Sequence, residues 1–188
     1  MSDSGHTLPD DISGLKLKIP FVTREQINVA EARNIADAMA KLLVNRHLPD
    51  IDIVTMQKLH RQMFGKVWTW AGEFRTVNTN IGSPATRIQE DLIILLHDLA
   101  AWDKTLESGV RLHHRAVQIH PFRNGNGRWA RLVMDIWLRK NCGLAIAWPA
   151  DDTMTSSIRN EYIWALKQAD KLEYGLLEIL HERYVYSV

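Results

Sequence analysis

The chain has 188 residues, of which 46% are hydrophobic and 7 are tryptophan, so it is long enough for one globular domain and too short for two comfortable ones. Its 23 basic and 22 acidic residues leave a formal net charge of +1, which argues against a DNA-coating surface because such a surface needs a clear basic excess. The single cysteine, Cys142, excludes an intramolecular disulfide and a cysteine zinc cluster.

The N-terminal residues are polar and do not resemble a signal peptide. The longest apolar run, Leu92 to Leu96, is far too short to span a membrane. We therefore expect a cytoplasmic protein that contacts no membrane and does not bind nucleic acid directly.

In chain order, residues 1–22 are predicted to be an N-terminal arm. Thr23 and Gln26 have the spacing of a capping box, which predicts the start of a helix. Residues 23–48 are expected to form an N-terminal helix that packs on the core, and residues 49–188 to form the main domain.

Apolar residues at helical spacing predict helices in most of the remaining chain. The segments are 51–65, 89–106, 110–120, 128–140, 156–171 and 172–186. Residues 68–88 differ, because they are rich in Thr, Val, Asn, Gly and aromatic residues, which predicts a short hairpin or an extended flap. The sequence therefore predicts an all-α bundle interrupted by one β-like insertion.

The stretch HPFRNGNGRWAR, from His120 to Arg131, combines several features of an anion site. A glycine-rich entry to a helix presents backbone N–H groups that the helix leaves unpaired, and the helix dipole adds positive potential there. Arg128 and Arg131 lie on one helix face and offer two guanidinium groups to phosphate oxygens. His120 can act as a base near neutral pH. Together these features predict a polyphosphate nucleotide site.

Each feature alone has an ordinary explanation, such as a turn, a solvated arginine or a structural histidine. The prediction depends on their coincidence in one short segment, and the chain lacks the G-x-x-x-x-G-K-[ST] phosphate loop. His97, His113 and His114 lack the spacing of a metal site.

The same segment is similar to the Fic-domain signature H-x-F-x-[D/E]-G-N-G-R-x-x-R at every specified position except Asn124. GKVWTWAGEFRTVNTNIG resembles the flap of that family, and RNEYIWALKQAD its later helix. The resemblance covers roughly residues 50–180 and implies a Fic-type helical bundle with one inserted β-hairpin, the flap, so that 49–188 would be the Fic domain. The arm and NGNGR resemble the mobile mystery protein B subgroup, which implies an antitoxin or other mobile-element partner protein.

The resemblance implies an adenylyltransferase that moves AMP from ATP, with Mg²⁺, to a Ser, Thr or Tyr hydroxyl of a target protein. His120 would deprotonate that hydroxyl, and Phe122 would anchor the loop in the core. Arg128 would hold the β-phosphate and Arg131 the γ-phosphate. The full set of implied phosphate-binding residues is Gly125, Asn126, Gly127, Arg128 and Arg131.

The resemblance also implies that the flap binds an extended target segment by β-augmentation. Its residues are Thr76, Val77, Asn78, Thr79, Asn80, Ile81 and Gly82. A hairpin that only covers the core is the alternative interpretation, and the two do not exclude each other.

Asn124 stands where the family has a carboxylate that ligates nucleotide-bound Mg²⁺. A neutral amide oxygen binds a hard cation more weakly. The alternatives to AMP transfer are therefore a Fic variant with other phosphoryl or NMP transfer activity and a catalytically weak nucleotide-binding interaction module. His120 favours an enzyme, because a binding module needs no base.

Many Fic proteins are held inactive by a glutamate in the motif [S/T]-x-x-x-E-[G/N], which pairs with the second signature arginine. Glu31 is the nearest candidate before the core, although Ile27 and Ala32 depart from the motif. A surface glutamate is the alternative interpretation of Glu31.

Overall fold

The computed structural model of the protein describes residues 12–16, 23–43, 47–149 and 156–188. Within these ranges the chain forms seven α-helices: α1 Arg24–Leu43, α2 Ile53–Phe64, α3 Ile88–Ala101, α4 Leu106–Ile119, α5 Asn126–Cys142, α6 Ser156–Ala169 and α7 Gly175–Glu182. A short 3-10 helix, Ala85–Arg87, leads into α3. Two short strands, β1 Leu144–Ile146 and β2 Val185–Ser187, complete the described secondary structure.

Local capping fixes several helix ends where the sequence predicts them. Thr23 and Gln26 form the expected capping box, since each backbone N–H donates to the other residue's side chain at 2.9 and 3.2 Å. Asp52 caps α2 by accepting from the N–H of Thr55. Gly143 follows α5 in the left-handed conformation that favours glycine at a helix C-terminus.

Helix α5 is the centre of the fold. Buried residues occur on all sides of it, which is the pattern of a helix surrounded by other elements. Helix α4 approaches it closely at Gly109, where an added Cβ would lie only 2.6 Å from the Leu138 side chain. This packing positions the loop between α4 and α5, residues 120–125, which begins the HPFRNGNGRWAR segment and is called the signature loop below.

The all-α class with a small two-stranded antiparallel element is confirmed. The strands, however, lie outside residues 68–88: Leu144 pairs with Ser187 and Ile146 with Val185. Asp135 of α5 orders this pair, since its carboxylate accepts from the N–H of Ile146 at 2.9 Å. In the described structure, residues 76–82 contain bends and no strand, so the two-stranded element lies outside the predicted flap.

The predicted arm lies mostly outside the described residues. Its residues 12–16 run antiparallel to the start of the flap segment, with a β-bridge between Leu15 and Trp68. The predicted N-terminal helix is α1, which packs against α2. None of the described helices is long and apolar enough to cross a membrane.

Candidate active site

The signature loop connects the C-terminus of α4 to the N-terminus of α5. His120 ends α4 in a left-handed conformation with φ 53°, and Gly125 precedes α5 with φ 77°. A Cβ at Gly125 would lie 2.4 Å from the Phe64 ring. Only glycine therefore fits at this position, for reasons of both conformation and space.

A side-chain clamp holds the loop in shape. Asn126 is 2% exposed, and its amide donates to Phe122 O and accepts from Phe122 N, both at 2.8 Å. Phe122 is fully buried, as the resemblance implied, and contacts the Trp129 ring edge-on. The Asn126 side chain thus braces the loop, and its backbone N–H stays at the start of α5.

The start of α5 presents backbone donors to open space. The first bond within the helix runs from Trp129 N to Gly125 O, so the N–H groups of Asn126, Gly127 and Arg128 precede the helical ladder. A Cβ at Gly127 would have only the Tyr162 hydroxyl within 4 Å, at 3.8 Å. A phosphate group can therefore approach the main chain here.

The side chains of Arg128 and Arg131, both near the start of α5, contact different neighbours. The Arg128 guanidinium lies 4.9 Å from the centre of the Phe64 ring and forms an ion pair with Glu31. Arg131 lies near the rings of Trp148 and Tyr162, at 5.7 and 5.8 Å. Both arginines are thus held by aromatic surfaces beside the loop.

Glu31 is a buried residue of α1, and the interpretation as a surface glutamate is wrong. It is 2% exposed, its Oε2 lies 2.7 Å from Arg128 Nη2, and its Oε1 accepts from Trp68 Nε1 at 2.6 Å. The observed partner is the first signature arginine, whereas the family pattern implied the second, Arg131.

The His120 side chain is partly buried beside the loop. Burial, together with the positive charge of Arg75, lowers the pKa of its imidazole to about 4, although the nearby Val117 carbonyl acts in the opposite direction. Its Nδ1 is buried without a standard hydrogen-bond partner among the described residues. The imidazole is therefore neutral near pH 7 and can accept a proton.

His60 supports the loop by contacting Asn124 and Phe122. Its Nδ1 accepts from Gly72 N at 2.9 Å, so Nε2 carries the proton and donates to Asn124 O at 3.0 Å. The ring stacks on Phe122 with centroids 3.7 Å apart. Burial lowers the pKa of His60 to about 3, and this histidine is a neutral structural group.

Asn124 offers one side-chain oxygen near the N-terminus of α5. That oxygen accepts from Gly125 N at 2.7 Å. No cluster of three His, Cys, Asp or Glu side chains that could hold a metal ion occurs among the described residues. His113 and His114 instead contact the hydroxyls of Tyr162 and Tyr174, each at 3.0 Å.

The flap residues lie mainly at the surface. Val77 and Ile81 are 63% and 58% exposed, which is unusual for large aliphatic side chains. Asn78 accepts from Ala85 N and Thr79 donates to Ile81 O, so local bonds shape the flap without a strand ladder.

A family model described as the Fic/DOC family matches residues 50–138. The matched range includes α2, the flap and the whole signature loop. Residues 50–138 of this chain therefore form a Fic/DOC family domain. The mobile mystery protein B subgroup stays a prediction.

Among its relatives are proteins named protein adenylyltransferase Fic. The protein from Drosophila yakuba is 30% identical over 131 residues, which cover 65% of this Fic chain and 25% of that protein. The protein from Aedes aegypti is 30% identical over 110 residues, which cover 52% and 21%. The chain thus spans a quarter or less of the length of these curated relatives.

Solved Fic domains share the fold. The N-terminal Fic domain of a Bartonella effector protein from Bartonella sp. AR 15-3 has a TM-score of 0.72, 21% identity, and coverage of 96% of this chain and 91% of that one. BepC from Bartonella tribocorum, solved with bound AMPPNP, has a TM-score of 0.72 at 16% identity, with 94% coverage of both chains.

The structure adds residues that the sequence analysis of this Fic domain missed. His60 lies on the buried stripe of α2 and looks like a core residue. Arg75 looks like any arginine before a loop, yet it is 2% exposed. No spacing rule marks either residue, because their roles depend on main-chain carbonyls that only the folded chain brings together.

Proposed function

We propose that this Fic domain is a protein adenylyltransferase that transfers AMP from ATP to a Ser, Thr or Tyr hydroxyl of a target protein. The single observation that carries the proposal is the junction of α4 and α5, where His120 stands beside a helix N-terminus with open backbone donors and two arginines. The names of the relatives and the AMPPNP in the BepC structure support ATP as the donor.

In the proposed reaction the target hydroxyl oxygen bonds to the α-phosphorus of ATP. The bond between the α-phosphorus and the oxygen leading to the β-phosphate breaks, and pyrophosphate leaves. His120 accepts the hydroxyl proton, which requires the neutral imidazole that burial and Arg75 favour. The rest of the site works by positioning and by stabilising negative charge, which is the general pattern of phosphoryl transfer.

The phosphates would occupy the N-terminus of α5. The N–H groups at Asn126, Gly127 and Arg128 would bind the α- and β-phosphates, with the helix dipole favouring their charge. The Gly125 N–H, also predicted to bind phosphate, donates to Asn124 Oδ1 instead. The Arg128 guanidinium would bind the β-phosphate and that of Arg131 the γ-phosphate. Since Arg128 pairs with Glu31, we infer that Glu31 competes with the nucleotide and is inhibitory.

The target would bind as an extended segment along the flap, Thr76 to Gly82. The exposed aliphatic side chains of Val77 and Ile81 offer apolar contact, and main-chain pairing would add a strand to the flap. An antitoxin or mobile-element partner stays a prediction from the resemblance, and a cytoplasmic location stays a prediction from the composition of the sequence.

The protein's own contribution to a Mg²⁺ site is small. Asn124 is the residue that would contact a nucleotide-bound ion, and its oxygen is neutral and already accepts one hydrogen bond. It fits as a weak ligand, with the phosphates supplying most of the coordination. When bound, the ion would neutralise phosphate charge. This observation favours an attenuated transferase, and it also favours the second candidate function, a catalytically weak nucleotide-binding module.

The test is incubation of the purified chain with cell lysate and each of ATP, GTP, UTP and CTP labelled at the α-phosphate, with ATP labelled at the γ-phosphate in parallel. We expect protein labelling from α-labelled ATP, none from γ-labelled ATP, and none with His120→Ala. Labelling from the γ-phosphate would show phosphoryl transfer instead. Nucleotide binding without labelling from any donor would show a binding module.

A further inference from the structure

Arg75 is a buried cation bonded to main-chain carbonyls. The residue is 2% exposed. Its Nε donates to His120 O at 2.7 Å, its Nη1 to Val77 O at 2.8 Å and its Nη2 to Ser83 O. Within the described part of the chain, all three of these partners are main-chain carbonyls and none is a carboxylate. Because a buried charge is costly unless it is well bonded, the role of this arginine lies in the three carbonyls that it joins.

Two main-chain hydrogen bonds reinforce the same junction. Arg75 N donates to Pro121 O at 2.9 Å, and Ser83 N donates to Ile119 O at 3.1 Å. Ile119 and Pro121 are the chain neighbours of His120. The two ends of the flap are therefore bonded on either side of the proposed base.

Gly82 brings the flap main chain into contact with the base. It has φ +97°, and a Cβ there would lie 2.6 Å from His120 Cβ and 3.0 Å from Arg75 Nη2. Any side chain at this position would push the flap away from His120. The separation between flap and base is thus set by direct contact as well as by hydrogen bonds.

We propose that Arg75 is a positioning residue that holds the target-binding flap and His120 at a fixed separation, so that a hydroxyl presented on the flap reaches the imidazole. The inference deepens the proposed transferase function and rests on it. It does not involve nucleotide binding, because the groups proposed for the phosphates belong to the other end of the loop.

The three bonds require the shape of a guanidinium. Its three nitrogens diverge in one plane, which allows simultaneous donation to carbonyls from three different chain segments. A lysine keeps the charge, but one ammonium group cannot occupy all three positions. Arg75→Lys therefore separates bonding from charge, whereas Arg75→Met removes both.

The test compares four variants with the wild type. Arg75→Lys and Arg75→Met break the junction, and Gly82→Ala displaces the flap without changing the arginine. Arg87→Met is the matched control, because Arg87 follows the flap and its exposed side chain pairs only with Glu90 and Asp91 among the described residues. Initial rates of AMP incorporation into lysate protein are measured against ATP concentration, and AMPPNP binding is measured by calorimetry.

We expect the first three variants to lower the apparent kcat by about tenfold or more, since small errors in the placement of reacting groups have effects of this size. The KM for ATP and the affinity for AMPPNP should change by less than about threefold, because the phosphate site stays intact. Arg87→Met should behave as wild type. A kcat within about twofold of wild type in all three variants would overturn the inference.

Hydrogen exchange gives a readout independent of activity. In Arg75→Lys, the amides of residues 77–83 should exchange faster, while those of α5 beyond Trp129 should keep their wild-type protection. If the wild-type chain labels no protein, the transferase proposal fails, and unchanged flap exchange in Arg75→Lys would separately defeat the junction. If Arg75→Met does not fold, Gly82→Ala still tests the inference, because Gly82 lies at an exposed position.

Discussion

Glu31 Oε2 and Arg128 Nη2 lie 2.7 Å apart in a buried ion pair. Trp68 holds the same carboxylate from its other oxygen, at 2.6 Å. The arginine proposed to bind the β-phosphate is therefore already neutralised, and a nucleotide must either share this guanidinium with Glu31 or displace the carboxylate. The pair links α1 directly to the phosphate end of the loop.

Glu31→Gln should raise nucleotide affinity and AMP transfer while lowering the stability of the nucleotide-free protein. Breaking a buried pair leaves an uncompensated charge, which costs about 3–5 kcal/mol at full burial; Arg128 retains 18% side-chain exposure, so the cost should fall below that range. Bound ATP would then supply the missing negative charge. Thermal unfolding with and without AMPPNP and calorimetric titration measure both effects.

Glu25→Gln is the matched control for this experiment, since Glu25 is an exposed acid in the first turn of the same helix. It should change neither affinity nor stability. If Glu31→Gln loses stability but binds AMPPNP no more tightly than wild type, Glu31 is a structural anchor and not an inhibitor.

The rate of transfer should persist at acidic pH. A base must be neutral to accept a proton, and burial together with Arg75 lowers the pKa of His120 to about 4. The acid limb of kcat/KM should therefore lie well below pH 6. Arg75→Met removes the positive charge, which raises the pKa of His120 and moves the limb to higher pH, whereas Arg75→Lys should leave it near the wild-type position.

His120→Ala supplies the background rate at each pH of this profile, and circular dichroism at each pH checks that the protein is folded. An acid limb at the ordinary histidine pKa of roughly 6.5, unmoved by Arg75→Met, would contradict the electrostatic role of Arg75 and the placement of His120 as a buried base.

Folding stability should fall as the pH drops from about 6.5. Burial lowers the pKa of His60 to about 3 and that of His181 to about 4, whereas in the unfolded chain both titrate near 6.5. Below that pH the unfolded state binds protons that the folded state rejects, so each histidine contributes a loss of up to about 1.4 kcal/mol per pH unit down to its folded pKa.

Urea unfolding at pH 7, 6 and 5 measures this dependence. His60→Asn should lower stability at pH 7, because the bonds to Gly72 and Asn124 are lost, and it should flatten the pH dependence. His97→Asn, at an exposed position on α3, should leave the slope as in wild type. A His60→Asn slope equal to that of wild type would show that His60 titrates normally in the folded protein.

The sequence predicted the helices well because their signals are local. The capping box at Thr23, the stop at Gly65 and the apolar stripes are properties of neighbouring residues, and the structure has helices in each predicted segment. The strands β1 and β2 were not predicted, and residues 185 and 186 were expected to end the helical segment 172–186. Their pairing depends on Asp135, about ten residues from one strand and fifty from the other, so no local pattern reports it.

In the candidate site, too, local features were predicted and contacts between distant residues were not. The signature segment was found because its residues are consecutive, and Gly125 has the conformation that its type predicts. The partner of Glu31 was expected to be Arg131 and is Arg128. Which arginine pairs with Glu31 depends on how α1 packs against α2 and on the buried Trp68. The spacing of residues along the chain reports neither of these contacts.

Asn124→Asp should strengthen nucleotide binding when Mg²⁺ is present and increase AMP transfer. The substitution changes charge and barely changes size. One carboxylate oxygen can keep accepting from Gly125 N, as the amide oxygen does at 2.7 Å, while the other oxygen becomes available to the metal. The main chain should stay in place, because His60 Nε2 binds the Asn124 carbonyl and not its side chain. A full negative charge binds a hard cation more strongly than a neutral oxygen.

The sign of this effect should depend on the metal. With Mg²⁺, half-maximal transfer should need about tenfold less Mg²⁺ than in wild type, which corresponds to roughly 1.4 kcal/mol. Without Mg²⁺, the added carboxylate repels the triphosphate, so AMPPNP in the presence of a chelator should bind less well than to wild type. Calorimetry with and without Mg²⁺ and a Mg²⁺ titration of transfer give the two measurements. A mutant that binds Mg²⁺–AMPPNP more tightly yet labels no lysate protein would defeat the attenuated transferase and leave a different reaction, for which a carboxylate at this position has no use.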